Sequence, residues 1–558
     1  MVKLKIIAIA LFVIAVYILA DSPDMRISVS AAPPVQETKV QGWTTEDRQT
    51  FYHTSQGTRF FPYKWLLALE APGKLGQEPF LTEERIKRFR LIADPNTLNN
   101  PDQLPVGMAK EVSDDGEFVS LTCAACHTGQ ISFNGSVMRI DGGPSMHSVA
   151  PFIENAYIAL ADTYARPFKF QRFAKKVLGE DSTFSERLKL HGDIRKAIFA
   201  PPLFAEMQAK VSRLYPTEEG FGRLDALGRG VNLMVGTGLG DKRNLMVANA
   251  PVSYPHLWGT PFFDWTQWNG SIGQPLARNI AEALGVDTPI ILKGKTEDLF
   301  KSSVNIQNLF LLEQTLMKLE PPRWPEDLLG AIDKDKATKG AALYQQHCAS
   351  CHESKMAPPN EFGKTFVRIN MYPLGQIGTD PTAAVNFNKR LVYTAQLSQP
   401  PYNLPERLTG TGTLQAVTTE VAKRKFEELH ISPEMQDEMS GFRRNIIRAP
   451  LAYRARNMDG IWATPPYLHN NSVPNMYQLL LPADQRDKTF YVGNLQYDPK
   501  VLGFDTSKTP DAFLLRTNIT GNSNAGHEFR DGPLGKGVIG PLLTDEERWA
   551  IIEYLKTR

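Results

Sequence analysis

"ATKGAALYQQHCASCH", residues 337–352, ends in two cysteines three positions apart with a histidine directly after the second. The same ending closes "LTCAACH", residues 121–127, and the two motifs use every cysteine of the chain: Cys123, Cys126, Cys348 and Cys351. A Cys-x-x-Cys pair alone is shared by zinc knuckles, redox dithiols and haem attachment, and the residue that follows it discriminates. In c-type attachment both thiols bond to the haem vinyl groups and the adjacent imidazole ligates the iron, so Cys-x-x-Cys-His works as one clamp. A single zinc site made from four thiols leaves both histidines without a role. A thioredoxin-like dithiol needs an alternating strand and helix context, which neither motif has. The sequence therefore predicts two covalently attached c-type haems, with the irons ligated by His127 and His352.

Around the second clamp, Ala341, Leu343 and Tyr344 lie on a short amphipathic helix that runs into the cysteines. The chain's last segment, "LTDEERWAIIEYLKTR" (543–558), opens with a capping box of Thr544 and Glu547 and continues with Ala550, Ile551, Tyr554 and Leu555 on one helical face. A helix entering a haem clamp and a C-terminal helix crossing it make the cytochrome c plan, here with a long insertion. The Pro-rich "LEPPRWPEDLLG" (319–330) is a linker, so a C-terminal cytochrome c domain is expected over 326–558.

Residues 41–320 form the expected N-terminal haem c domain, with helices at Phe152–Tyr164 and Thr183–Phe199 between Gly/Pro-rich loops. The fold class expected is mainly α: two cytochrome c-type haem domains with long loops and few short strands. A chain of 558 residues exceeds what one hydrophobic core organises, which agrees with more than one domain. "GVNLMVGTGLGDKRNL" (230–245) contains Gly-x-Gly-x-Gly but lacks a strand-to-helix junction and reads as an ordinary loop. Lys plus Arg (62) balance Asp plus Glu (60), which gives no electrostatic reason to expect nucleic acid as a partner.

Residues 1–36 read as an export signal and linker. Lys3 and Lys5 precede an uncharged apolar run from Ile6 to Ala20, shorter than the roughly 20 residues of a spanning helix. Cleavage after Ala20 would put bulky Ile18 where a small residue is preferred, and Val29-Ser30-Ala31 fits better but lies far from the run, so an uncleaved anchor stays the alternative. A periplasmic or secreted protein is expected, held at a membrane only if this segment is retained. Export agrees with haem attachment, which takes place outside the cytoplasm.

Haem chemistry turns on the sixth ligand: an iron closed by two strong ligands moves electrons, and one with an open position binds O2 or peroxide. His527, in the loop "GNSNAGHEF", is the leading candidate to close the second iron. His469, after the Pro-Pro of "IWATPPYLHNN", is the alternative ligand or a hydrogen-bonding neighbour. His147, in "GGPSMHSV", stands near the first clamp either as a distal residue or as a helix-start histidine. His53, His191, His256, His347 and His430 have no comparable context and read as partly exposed side chains. Trp258, Phe262, Phe263, Trp265 and Trp268 fall within eleven residues between the clamps, either as core or as an electron relay.

The set "LTCAACHTGQI", "QWNGSIGQPLARNIAEALG", "GAALYQQHCASCH", "GIWATPPYLHNNSVP" and "GNSNAGHEF" resembles the rubber oxygenase branch of the bacterial di-haem cytochrome c peroxidase and MauG superfamily. The resemblance implies that His127 and His352 are proximal ligands and that His527 is the distal ligand of the second haem. It makes the first haem the open one, where O2 binds. Trp268 resembles the tryptophan lying between the haems of the peroxidases, with Phe263 and Trp265 beside it. Against a plain peroxidase, the helix after "PPYLHNN" ends in "LLLPADQ" with no ligating methionine, and "IDGGPSMHSV" is unlike the peroxidase distal loop.

Three functions follow as expectations. The first is an oxygenase that uses O2 on a small apolar unsaturated substrate, lipid or polyisoprene in type. The second is a peroxidase reducing hydrogen peroxide, or a MauG-like modifying enzyme, fed by a redox-partner cytochrome. The third is a di-haem electron carrier or sensor.

Overall fold

The computed structural model describes residues 35–37, 41–73, 77–198 and 214–558. The expected export segment from Lys3 to Ala20 lies outside them. No helix among the described residues is long and apolar enough to cross a membrane.

The helix Lys334–His347 runs through Cys348 into the single turn Ala349–His352, and the helix Asp545–Leu555 crosses it. Thr544 and Glu547 form the expected capping box. The crossing is close because Gly340 has no side chain: a Cβ there would stand 1.9 Å from the Ala550 carbonyl oxygen. One turn further on, the fully buried Tyr344 ring lies 5.0 Å from that of Tyr554. Phe529, Ile551, Ile552 and Leu555 share this core with Trp462, Tyr467 and Met476. The same cluster takes in Trp43, Phe51, Ile131 and Trp258 from before the Pro-rich segment, so the chain on either side of it packs as one interior.

The first clamp sits in different surroundings. Two hairpins flank it, Met108–Ser113 with Gly116–Leu121 and Thr128–Phe133 with Ser136–Asp141. The second hairpin turns at Asn134-Gly135, both with positive φ (47° and 79°), the backbone of a two-residue type I′ turn. Behind them the helices Val149–Ala165, Pro167–Leu178 and Phe184–Ile198 build a second apolar cluster. Helix dominates at 39% against 16% strand, but the expectation of few strands underestimates these hairpins and the short pairings further along the chain.

The insertion after the second clamp folds back onto the N-terminal half. Its helix Gly410–Glu428 lays Leu414, Val417 and Val421 on Leu276, Ile280 and Leu284 of the helix Pro275–Gly285. The strand Ala452–Ala455 returns antiparallel to Asn370–Pro373. The segment 230–245, expected to be a loop, is partly helical: Ala226–Val231 continues through the wide turn Asn232–Thr237. Asp225 caps its start, and burial of Val231, Met234 and Val235 outweighs the glycines.

Candidate haem-binding site

Cys348 and Cys351 face a cavity of about 410 Å³ that also meets His352, His527, Met476, Phe529, Arg454 and Trp268. The chain leaves both thiols free, as it does Cys123 and Cys126. Among the described residues no three His, Cys, Asp or Glu side chains gather as a metal cluster, so the four cysteines do not form the single zinc site.

His352 Nδ1 lies 2.7 Å from the Arg456 carbonyl oxygen. A carbonyl can only accept, so Nδ1 carries the hydrogen and Nε2 keeps its lone pair for a metal. Burial lowers this imidazole's proton affinity, with the Arg456 charge adding to it. His527 faces it across the cavity, ring centroids 6.1 Å apart. Burial, then the neighbouring His352 and Arg486, depresses His527 to about 3, so it is a neutral donor, and its buried Nδ1 has no partner. Two imidazoles each about 2 Å from a shared iron would have centroids about 6 Å apart, so the pair fits a haem iron between them.

The loop that presents His527 is held by its backbone. Gly526 and His527 both have positive φ (72° and 44°), and a Cβ on Gly526 would stand 2.2 Å from the Gly378 carbonyl carbon. The His527 N–H donates to the Ile377 carbonyl at 2.9 Å. Arg486, 2% exposed, donates to the carbonyls of Asn524, Gly526 and His527 at 2.6, 2.9 and 2.8 Å. No sequence signal marks Arg486, because every partner is a main-chain carbonyl, some 5 to 8 residues back and the others 38 to 41 residues on.

His127 repeats the proximal arrangement. Its Nδ1 lies 2.7 Å from the Pro255 carbonyl oxygen, and burial depresses the ring to about 4. Thr122 caps the clamp turn, and Gly107, φ 86°, lets the first hairpin touch it: a Cβ there would be 2.2 Å from the Ala125 Cα. Burial pushes the thiols of Cys123 and Cys126 up to about 12. Around this clamp the neighbours are polar. Gln56 Nε2 lies 2.9 Å from Cys123 Sγ, and the Glu282 carboxylate is close enough to act on both thiols. Glu282 accepts from Gln267 at 2.8 Å, and burial raises its pKa above the usual carboxylate range. Arg278 and Glu313 form a buried ion pair beside it, joined by Asn279. The aromatic ring beside His127 is Tyr254, 6.2 Å away. Among the described residues no second imidazole has the ring-to-ring relation to His127 that His527 has to His352.

The other candidate residues fall as follows. Trp268 lines the cavity, whereas Phe263 and Trp265 do not; Trp265 is covered instead by the Arg448 guanidinium at 3.5 Å. His469 lines the cavity but stacks on Tyr453 at 4.0 Å and is depressed to about 4 by burial. His147 is buried beside the Ala125 backbone of the first clamp, and burial depresses its ring to about 4. His53 and His256, expected to be partly exposed, are buried: His53 bridges Asp94 and the Met108 carbonyl, and His256 stacks on Trp258.

A short route of bonds joins His127 and His352. From the Pro255 carbonyl that holds His127, the main chain leads back through Tyr254 to the Ser253 carbonyl, which accepts the Trp268 indole N–H at 2.8 Å. The Trp268 carbonyl accepts the Arg454 N–H at 2.9 Å. Two residues on, the Arg456 carbonyl holds His352.

Comparison with known proteins finds two matching families in the half of the chain that carries the second clamp. Residues 335–377, which contain the second clamp, match the family of cytochrome c oxidase, cbb3-type, subunit III. Residues 452–491, which contain Arg454, Arg456 and His469, match the RoxA-like, cytochrome c-like family. The uncharacterized protein y4iJ of Sinorhizobium fredii is 38% identical, over 93% of this chain and 92% of its own length. The chain belongs to a cytochrome c family that it shares with y4iJ. A second uncharacterized protein of that organism, y4iM, is 28% identical over 54% of this chain and 64% of its own. As a cytochrome c-like protein the chain binds c-type haem and takes part in redox chemistry.

Proposed function

We propose that the chain is an exported di-haem oxidoreductase that activates O2 at the first clamp and oxygenates an unsaturated apolar substrate, lipid or polyisoprene in type. The second clamp serves as a six-coordinate electron-transfer centre. The observation that carries this reading is the asymmetry between the clamps: His352 is faced by His527 at 6.1 Å, and among the described residues no imidazole faces His127 in that way. The RoxA-like match and the resemblance to rubber oxygenases point the same way.

A haem iron with an accessible position supplies O2 binding and one-electron chemistry. The chain's own residues do the rest. Pro255 and Arg456 fix each proximal ring by accepting its Nδ1–H, leaving Nε2 to the iron. Burial raises Glu282 above the usual carboxylate range, which makes it the candidate proton donor near the first clamp. Trp268 and the bonds on either side of it carry electrons between the clamps.

Glu282 also favours a second reading, a peroxidase or MauG-like enzyme, because cleaving peroxide to water needs a proton donor beside the iron. One set of measurements separates the readings. Oxygen uptake with oleate or polyisoprene, with products carrying the oxygen, supports the oxygenase. Steady peroxide consumption with a reduced cytochrome, without such uptake, supports the peroxidase. A reduced spectrum unchanged by carbon monoxide would overturn both and leave an electron carrier.

A further inference from the structure

Arg454 and Arg456 alternate at the end of the strand Ala452–Ala455, and both line the cavity that holds Cys348, Cys351, His352 and His527. Arg454 is 7% exposed, its guanidinium lying 5.4 Å from the Trp268 ring and 6.0 Å from that of Phe263. Arg454 Nε, and Arg456 Nε and Nη2, are buried without a hydrogen-bond partner. Among the described residues neither guanidinium pairs with a carboxylate.

Other buried arginines differ. Arg486, Arg443 and Arg223 donate to backbone carbonyls, and Arg278 pairs with Glu313. A guanidinium keeps its charge at neutral pH even when desolvated. Two desolvated cations on one strand repel each other, and a folded chain keeps such a pair only against an anion. Planar guanidinium forks match a carboxylate in two-point geometry.

We infer that Arg454 and Arg456 form a carboxylate-binding site for the propionates of the haem held by the second clamp. The inference rests on the haem reading of that clamp. A c-type haem is tethered through its vinyl groups and carries its acid groups on the opposite edge, so a cavity that holds the thiols on one side needs cations elsewhere in its wall. The Arg454–Arg456 stretch then has two functions: its backbone carbonyl orients His352, and its side chains hold the acids. Cations beside the haem also favour its reduced, more negative state.

The test uses the full-length holoprotein. A pyridine haemochrome assay, repeated on the Cys348→Ser/Cys351→Ser variant, first establishes haem at the second clamp; no loss of haem in that variant overturns the haem reading itself. With haem present, Arg454→Gln and Arg456→Gln should each lower the ferrous-to-ferric ratio of that haem about tenfold at a fixed potential, or about 59 mV for a one-electron couple. The propionate bending band in the resonance Raman spectrum should move as well. Arg454→Lys and Arg456→Lys keep the charge and lose the fork, so the band should move with a smaller change in potential; they carry the test if the Gln variants do not fold. Variants that keep both the wild-type potential and the wild-type band overturn the inference. So does a wild-type band or potential that responds to added oleate or inorganic phosphate, which would assign the pair to an exchangeable anion.

Discussion

The two clamps share five-residue motifs and the same proximal hydrogen bond, yet their surroundings differ. The second lies at the end of a long helix, in a cavity that mixes apolar side chains with Arg454 and Arg456, and is faced by His527. The first lies between two hairpins with Gln56 and Glu282 near its thiols, Glu282 accepting from Gln267. Under the proposed function, the difference teaches that the motif specifies attachment and the proximal ligand, while the chain that folds over the other face decides between electron transfer and chemistry on a substrate.

Removing His527 should break that difference most completely. His527→Ala is expected to abolish one low-spin species in the electron paramagnetic resonance spectrum and to let carbon monoxide bind at both haems. A spectrum identical to the wild type would mean that His527 does not close the second iron. Next in size is Glu282→Gln, expected to slow turnover about 10²-fold or more if the carboxyl supplies a proton. Because burial raises this group, its neutral form survives to a higher pH than an exposed glutamic acid, and the rate should fall as pH rises through that ionisation. The Gln variant should lose this limb of the pH–rate profile while both haem spectra stay unchanged.

Trp268→Phe removes the one side-chain link in the route between the clamps and should slow inter-haem electron transfer about tenfold, roughly 1.4 kcal/mol of barrier, in stopped-flow reduction. The smallest effects are a matched pair. Gly107→Ala presses on the first clamp and Gly340→Ala on the helix beside the second, each costing about 1–3 kcal/mol in thermal unfolding. Each should reduce haem content at its own clamp only.

Much of the candidate site was readable along the chain because its chemistry is local. Cys-x-x-Cys-His is contiguous, the Thr544/Glu547 box spans one turn, and His527 sits in a Gly/Asn loop that invites an unusual backbone. Asn134-Gly135 between alternating residues is a strong turn signal for the hairpin after the first clamp, which the expectation of few short strands passed over. Pro255, Arg454, Arg456, Arg486 and Glu282 were not. Pro255 and Arg456 act as positioning residues through their carbonyls, a contribution any residue type could make. Arg486 serves distant main-chain atoms, and Glu282 meets the first clamp only through the tertiary fold.

The bonded route from His127 to His352 consists of peptide groups apart from one indole N–H. Side chains at Ser253, Tyr254 and Ala455 can therefore change without removing a link. On the proposed function, wiring and substrate choice are thus separable: the walls of either pocket could be recut for a different substrate, by selection or by design, while the bonded route between the clamps stays in place.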